Sequence, residues 1–182
     1  MWKCLNTIKK LPSKNETYHK KLAMNNKLSI WKNVLFYIHL LLVIWQLDNH
    51  NNDATLLGDC IESANALVTR LQKWSERRGI DQFQAKAYFF QCQAVCAAGI
   101  SCQTLFNFWH QAIKTSILRS NVHSQACLYN LLLRCYLNQQ QYEQADKFMQ
   151  KTDFPKQADN NQWSRYFYGK GREKFWIIWR SF

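Results

Sequence analysis

The segment between Ser124 and Lys147 constrains the fold more than any other part of the chain. Large apolar residues recur in it at helical spacing, and the polar residues Gln139–Gln141 interrupt this pattern. Beyond them stands one small residue, Ala145, at the place where two antiparallel helices would cross. Helices approach each other closely only where one of the facing side chains is small. The segment therefore predicts a helical hairpin with its turn at Gln139–Gln141.

The spacing within this hairpin follows the tetratricopeptide pattern, a repeat of roughly 34 residues. Tyr129 and Tyr136 occupy the two aromatic positions of that pattern. Leu132 is the residue that wedges between the helices, with Ala145 at the crossing point. Leu133 departs from the pattern, which prefers Gly or Ala there. Because one hairpin cannot bury its own apolar face, we expect further hairpins beside it.

Composition supports helices throughout. Five glycines and two prolines in 182 residues are too few for the frequent turns of a sandwich or barrel. We predict an all-α fold of tetratricopeptide-like hairpins stacked as a right-handed solenoid. The other predicted helices run from about 54 to 75 with Asp53 as N-cap, from the N-cap Asp81 to Gly99, from Ser101, which can act as N-cap, and from Asp159–Asn161 onward. The first helix of the hairpin is predicted to open at Asn121–Ser124.

The net charge of +12 is concentrated at the two ends of the chain. Residues 1–32 carry eight lysines against one glutamate, and residues 170–182 carry four basic residues against one glutamate. We predict a basic, disordered tail over 1–32, although such an arm can also bind nucleic acid or anionic lipid through charge alone. The most apolar run, residues 34–45, is too short to span a bilayer and predicts a buried helix.

Seven cysteines without a signal peptide indicate a reducing compartment. Cys92 and Cys96 stand four residues apart, with Cys102, His110 and His123 further on. A zinc site needs two converging ligand pairs, and because the sequence offers no second pair we interpret these cysteines as core residues. Catalysis by Cys102 with His110 would need an orienting acid and an oxyanion hole, and neither is evident. We predict no enzyme activity, no metal and no cofactor.

Several residues are candidates for contact with partner proteins. The arginines can fix helix ends, which is the favoured role, or bind partner carboxylates. A tryptophan beside an arginine is typical of an interface anchor. For Trp163 a place in the core against the preceding hairpin is the favoured alternative. The candidate interface residues are Arg77, Arg78, Arg119, Arg134, Asn160, Asn161, Trp163 and Arg165.

Five stretches of the chain resemble one known family in the same order. They are Leu40–Trp45, Arg77-Arg78 with Ala85–Phe90, Ile113–Arg119, Gln125–Lys147 and Phe154–Tyr168. The family is that of the 26S proteasome non-ATPase regulatory subunit 3, and the resemblance covers residues 33–168. The last stretch, joined to the hairpin before it, is the most specific. Residues 169–182 are expected to be a divergent end that does not continue the family sequence.

The resemblance implies a non-catalytic scaffold of the proteasome regulatory particle lid, acting in ubiquitin-dependent degradation in cytoplasm and nucleus. Its expected partners are other lid subunits, with no small-molecule substrate, nucleic acid or membrane. In this family the helical repeats lead into a PCI module with a winged helix, and the chain shows no sequence for that part. Two alternatives stay open: a scaffold of a related PCI complex, such as the signalosome or a translation initiation factor, and a nucleic-acid or membrane-surface binder that uses the basic tail.

Overall fold

The computed structural model describes residues 14–49, 54–74 and 78–180, where it contains seven α-helices and no strand. The helices are α1 (Lys14–Asn49), α2 (Ala54–Lys73), α3 (Asp81–Ala97), α4 (Gln103–Leu118), α5 (Val122–Asn138), α6 (Tyr142–Lys151) and α7 (Asn160–Arg180). A short 3₁₀ turn, Arg78–Ile80, leads into α3. The predicted all-α fold is confirmed.

Helices that follow one another in the chain pack together, and so do alternate helices. The α1–α2, α2–α3, α4–α5, α5–α6 and α6–α7 pairs are in contact, while α1, α3, α5 and α7 form a continuous row. The aromatic rings of Tyr88 and Phe108 join α3 to α4. This pattern is the one expected of stacked hairpins. The right-handed twist of the stack remains a prediction.

The central hairpin consists of α5 and α6 and matches its predicted bounds. Tyr129, Leu132 and Tyr136 are buried in α5, and Ala145 of α6 is fully buried where the two helices cross. Gln140 has a φ of 58°, the left-handed backbone conformation that lets the chain reverse within the predicted turn. The tetratricopeptide character of this segment is therefore confirmed by its packing.

Leu133, the residue that departs from the repeat pattern, is accommodated by a glycine on α7. Leu133 is buried, and Gly169 lies directly against it. A Cβ atom at position 169 would come within 2.6 Å of Leu133 Cδ2. The large side chain on α5 thus occupies the space that the glycine leaves open on α7.

The helix ends confirm some sequence predictions and correct others. Asn121 caps α5, because its side chain accepts a hydrogen bond from the Ser124 backbone N–H. Gly99 ends the α3 region with a φ of 67°, as predicted. Asp81 is the first residue of α3 rather than its cap, and Cys102 rather than Ser101 occupies the cap position of α4. The predicted cap of α2, residue 53, lies outside the described residues.

The apolar run of α1 is buried on one side only, which corrects the prediction of a buried helix. Phe36, Leu40 and Val43 are in the core, whereas Leu35 and Leu42 are exposed. The reason is that, among the described residues, α1 packs mainly against α2 and α3, so neighbours cover one of its faces.

The predicted domain bounds at 32/33 and 168/169 both fall inside helices. Helix α1 begins at Lys14 and α7 continues to Arg180. The three-part division of the chain remains a prediction.

Candidate protein-binding surfaces

One surface of α1 is apolar and exposed. Its residues recur at alternating spacings of three and four, so they form a single stripe along the helix. We call this stripe the α1 face; it consists of Trp31, Val34, Leu35, Ile38, Leu41, Leu42 and Trp45, all of which are exposed. Stripes with this spacing pack against another helix, with side chains from each filling gaps in the other. The α1 face is therefore suited to bind a partner helix.

A second exposed apolar surface lies on the C-terminal half of α7. Tyr168, Phe175 and Trp179 are each about 70% exposed, at 72%, 71% and 69%. The adjacent residue Trp176 contacts α6 instead, where its ring stacks on Tyr142 at 4.0 Å between centroids. Exposed apolar patches of this kind mark interaction sites on proteins.

Trp163 belongs to an aromatic cluster between α7 and the loop that precedes it. Its ring centroid lies 4.7 Å from that of Phe154 and 5.2 Å from that of Phe167. Phe154 also stacks on Tyr166 at 4.4 Å, and both of these residues are buried. Trp163 is half-buried and packs against the core. Its role as a core residue or as an interface anchor remains a prediction.

A groove of about 490 Å³ separates α5 from α7. Three arginines line it, Arg134 from α5 and Arg165 and Arg172 from α7, and none of the lining residues that the structure describes is acidic. The groove floor contains a buried polar atom, Asn130 Oδ1, that accepts no hydrogen bond from the described part of the protein. A partner segment with acidic and hydrogen-bond-donating groups would satisfy both features.

Arg165 is oriented by an aromatic ring. Its guanidinium carbon lies 5.3 Å from the centroid of the Phe89 ring, within the range of a cation–π contact. The structure thus brings two of the predicted interface residues, Arg134 and Arg165, to one groove. The sequence analysis did not include Arg172 among the interface residues. Its position in the sequence resembles that of other basic residues near the C-terminus, and only the position of α7 in the fold distinguishes it.

Arg78 and Arg119 lie near Asp81, where their charges act on its carboxyl. Burial raises the pKa of the Asp81 carboxyl, and the positive charges of His123, Arg78 and Arg119 oppose that rise. Asp81 also accepts a 3.0 Å hydrogen bond from Asn121 Nδ2, which ties the start of α3 to the start of α5. This hydrogen bond gives Asp81 and Asn121 a role in the fold.

The remaining candidate residues occupy separate places. Asn160 and Asn161 are exposed in the first turn of α7, where the Asn160 carbonyl accepts a hydrogen bond from Ser164 Oγ at 2.9 Å. Residue 77 lies outside the described residues. His110 is 3.4 Å from the Tyr136 hydroxyl, measured from Nε2.

The α1 face is the surface that sequence reasoning missed. Its signal was present in the three-and-four spacing of apolar residues from 31 to 45. That spacing was concealed because buried residues such as Phe36, Leu40 and Val43 fall between the exposed ones and make the run continuous. Within the described residues, the combination of length and apolarity that a membrane-crossing helix requires does not occur.

Comparison with known proteins identifies relatives along most of the chain. The sequence model of the family described as "PSMD3-like, N-terminal TPR repeats" matches residues 5–175. The match therefore begins within the predicted basic tail and extends past residue 168, beyond both limits of the resemblance found in the sequence alone.

Curated relatives carry consistent names. "Probable 26S proteasome non-ATPase regulatory subunit 3" of Anopheles gambiae is 36% identical over 138 residues, which is 76% of this chain and 26% of the relative. The Drosophila melanogaster protein of the same name is also 36% identical over 138 residues, with the same coverage. "Probable 26S proteasome regulatory subunit rpn3" of Schizosaccharomyces pombe is 30% identical over 164 residues, 89% of this chain and 31% of the relative.

The matched region spans only about a quarter to a third of the length of these relatives. The family model that matches residues 5–175 of this chain describes N-terminal TPR repeats. Helical hairpins with tetratricopeptide spacing, a family match over nearly the whole chain and relatives of one name agree with one another. The chain belongs to the PSMD3-like family and contains its N-terminal tetratricopeptide-like repeats.

Proposed function

We propose that this chain is a non-catalytic structural subunit of the 26S proteasome regulatory particle lid. The observation that carries the proposal is the family match over residues 5–175 together with relatives named as proteasome regulatory subunits. Its role would be to hold other lid subunits in place, so that neighbouring subunits can process ubiquitinated substrates. The expected location is the cytoplasm and nucleus.

The α1 face and the groove between α5 and α7 supply a physical basis for this role. The α1 face offers a stripe of large apolar side chains, which favours burial against a helix of a partner subunit. The α5–α7 groove offers three arginines and an unsatisfied carbonyl oxygen, which favour an acidic partner segment. Binding energy in interfaces is concentrated in buried aromatic and arginine anchors, and both surfaces contain them.

The experiment that tests the proposal is affinity purification of the tagged full chain from cells, with partners identified and quantified by mass spectrometry. We expect proteasome lid subunits in stoichiometric amounts. Leu35→Asp with Leu42→Asp should abolish that recovery through the α1 face, and Arg134→Glu with Arg165→Glu should reduce it through the groove. Lys114→Glu is the matched control, because Lys114 is an exposed residue of α4 outside both surfaces.

Two results would contradict the proposal. One is recovery of chaperones without lid subunits, which would mean that the chain is an unassembled protein. The other is recovery of signalosome or initiation-factor subunits, which would assign the chain to a related PCI complex instead.

A further inference from the structure

Four cysteine side chains from three parts of the fold meet below the turn between α3 and α4. Cys92 and Cys96 lie one turn apart on α3, Cys102 stands directly before α4, and Cys135 comes from α5. The Sγ atoms of Cys92, Cys102 and Cys135 all lie within 4.8 Å of one another. Cys96 Sγ is 3.3 Å from Cys102 Sγ and 3.9 Å from Cys92 Sγ. The second ligand pair that the sequence did not reveal is therefore formed by Cys102 and Cys135, which are brought beside the first pair by folding.

These separations suit a single tetrahedral metal ion. A zinc ion bound by four thiolates has Zn–S distances of about 2.3 Å, which places its sulfur atoms roughly 3.8 Å apart. The Cys96–Cys102 separation of 3.3 Å and the Cys92–Cys96 separation of 3.9 Å lie on either side of that value, and the sulfur atoms of Cys92, Cys102 and Cys135 lie within 4.8 Å of one another. An iron–sulfur cluster inserts several iron and sulfide atoms between its cysteines and requires a wider arrangement.

Burial gives the four thiols the surroundings of a structural metal site. Cys92, Cys102 and Cys135 are buried, and Cys96 is partly exposed. The turn above the cluster is open, because Gly99, Ile100 and Ser101 are exposed. An ion could therefore enter from the α3–α4 turn and would then be held in an interior that excludes water.

The other buried cysteines provide a comparison within the same molecule. Cys60 Sγ donates to the Val43 carbonyl at 3.7 Å, and Cys127 Sγ donates to the Ala85 carbonyl at 3.2 Å. Each is a single thiol bonded to backbone, as isolated core cysteines usually are. In the cluster the thiols lie beside one another instead: Cys92, Cys102 and Cys135 form a close group, and Cys96 contacts Cys92 and Cys102. Neighbouring sulfur atoms of this kind can serve as ligands of one ion.

Cys102 is the thiol on which the contacts of the cluster converge, because it lies close to Cys96, Cys92 and Cys135. Hydrogen bonds from Cys135 and Cys92 lower the pKa of the Cys102 thiol, and the nearby Arg134 guanidinium acts in the same direction. Hydrogen bonds with Cys102 in turn raise the pKa of the Cys92 thiol and of the Cys135 thiol. Cys102 also precedes the N-terminus of α4, whose partial positive charge stabilises an anionic sulfur.

We propose that Cys92, Cys96, Cys102 and Cys135 form a structural site for a thiophilic divalent cation, with Zn²⁺ as the expected ion. On binding, the four sulfur atoms coordinate the ion as thiolates and the displaced thiol protons pass to solvent. The ion would fasten the α3–α4 turn to α5. No redox step is involved.

The test uses the purified full chain, kept reduced, with Zn²⁺ and Co²⁺ as probes. We expect metal analysis to find one tightly held zinc ion per chain. We expect Co²⁺ substitution to give the intense visible bands and the thiolate charge-transfer band of tetrahedral sulfur coordination. Cys102→Ala and Cys135→Ala should weaken binding by more than about 100-fold, since even residues that only support a ligand contribute about 10- to 100-fold.

Cys127→Ala is the matched control, because Cys127 is a buried cysteine of the same helix as Cys135 but lies outside the cluster. It should keep one metal ion and the same Co²⁺ spectrum. The wild-type spectrum also reports sulfur coordination directly, so the test holds even if an alanine variant fails to fold.

Three results would overturn the proposal. The first is a reduced wild-type chain that binds no metal and gives no Co²⁺ thiolate spectrum. The second is equal loss of metal in Cys127→Ala, which would place binding elsewhere. The third is a Cys96–Cys102 disulfide in the isolated chain whose reduction does not restore metal binding.

Discussion

Helices α5 and α1 are both rich in large apolar residues, yet they differ sharply in burial. Eleven residues of α5 are buried, including all three leucines of the run Leu131–Leu133. On α1 the leucines at positions 35, 41 and 42 are exposed, at 57%, 45% and 46%. The difference arises from neighbours: α5 packs against α3, α4, α6 and α7, whereas α1 packs against α2 and α3.

The comparison shows that similar side chains have different roles at the centre and at the end of a stack. In repeat proteins each helix depends on the next one to cover its apolar face. A leucine on α5 therefore contributes to folding, whereas a leucine on the α1 face is available to a partner. Substitutions that are matched between the two helices separate these roles.

The largest expected effect is on the central helix. Leu132 is fully buried, and Leu132→Ala should lower the free energy of unfolding by about 2–5 kcal/mol, because it removes buried methyl groups and leaves a cavity. Leu42→Ala, the same change on the α1 face, should alter it by less than about 0.5 kcal/mol. Urea denaturation followed by circular dichroism measures both. Equal losses in the two variants would mean that the α1 face is covered within the isolated chain.

A smaller effect is expected where α7 crosses α5. Gly169→Ala adds a Cβ that would lie 2.6 Å from Leu133 Cδ2, so we expect destabilisation of about 1–3 kcal/mol from overpacking. Gly171→Ala is the matched control two residues away, where an added Cβ meets nothing within 4 Å. That control should gain up to about 1 kcal/mol, the usual advantage of alanine over glycine within a helix.

A double variant tests whether contact with Leu133 is the cause of the destabilisation expected for Gly169→Ala. Leu133→Ala introduces the residue type that the repeat pattern prefers, and in that background Gly169→Ala should cost much less, because the clashing methyl group is gone. Thermal melting of the two single variants and the double variant gives the interaction free energy between positions 133 and 169. Additive effects would show that Leu133 and Gly169 do not constrain each other.

Most of the fold could be predicted from the sequence because it depends on local patterns. The spacing of Tyr129, Leu132 and Tyr136, the polar turn and the small residue Ala145 are all contained in one hairpin. The cap at Asn121 is local as well, since it bonds the Ser124 N–H three residues away. Sequence patterns that lie within one hairpin can be recognised without knowledge of the rest of the structure.

Features that depend on distant contacts could not be predicted. Cys135 is more than 30 residues from Cys102, and no local spacing indicates that α5 carries it beside the other cysteines. The apolar spacing from Leu105 through Ile113 to Leu118 predicts that Leu118 faces inward, and this prediction is wrong. Leu118 is 87% exposed at the end of α4, where no described helix covers it. The groove between α5 and α7 likewise depends on how two helices lie, so Arg172 could not be assigned to it beforehand.

The α1 face should also govern self-association. Exposed apolar stripes of this size promote association between copies when no partner is present. We expect the isolated chain to be oligomeric, and Leu35→Lys with Leu42→Lys to shift it toward monomer in sedimentation velocity without lowering its melting temperature. Gln111→Lys on α4 adds charge to an exposed polar position and should leave the oligomer unchanged. A sharp monomer peak for the unmodified chain would contradict this prediction.

The smallest effect expected concerns a single buried carboxyl on α7. Glu173 is 1% exposed, and its Oε1 has no hydrogen-bond partner within the described residues. Burial raises the pKa of this carboxyl above its usual 4.5, and the negative charge of Asp146 raises it further, against the opposing charges of Lys174 and Lys170. The folded state therefore retains this proton to a higher pH than the unfolded state does, so stability falls as the pH rises from 4.5 through the folded pKa.

Glu173→Gln removes the charge and should raise the free energy of unfolding at neutral pH by roughly 1 kcal/mol, the order of one poorly satisfied buried polar group. The gain should shrink below pH 4.5, where the glutamate is protonated in both states. Urea denaturation at a series of pH values measures this, with Glu62→Gln on the exposed side of α2 as the control. A gain that does not change with pH would mean that packing, rather than charge, distinguishes the two side chains. A loss at neutral pH would mean that α7 keeps Glu173 ionised and stabilised.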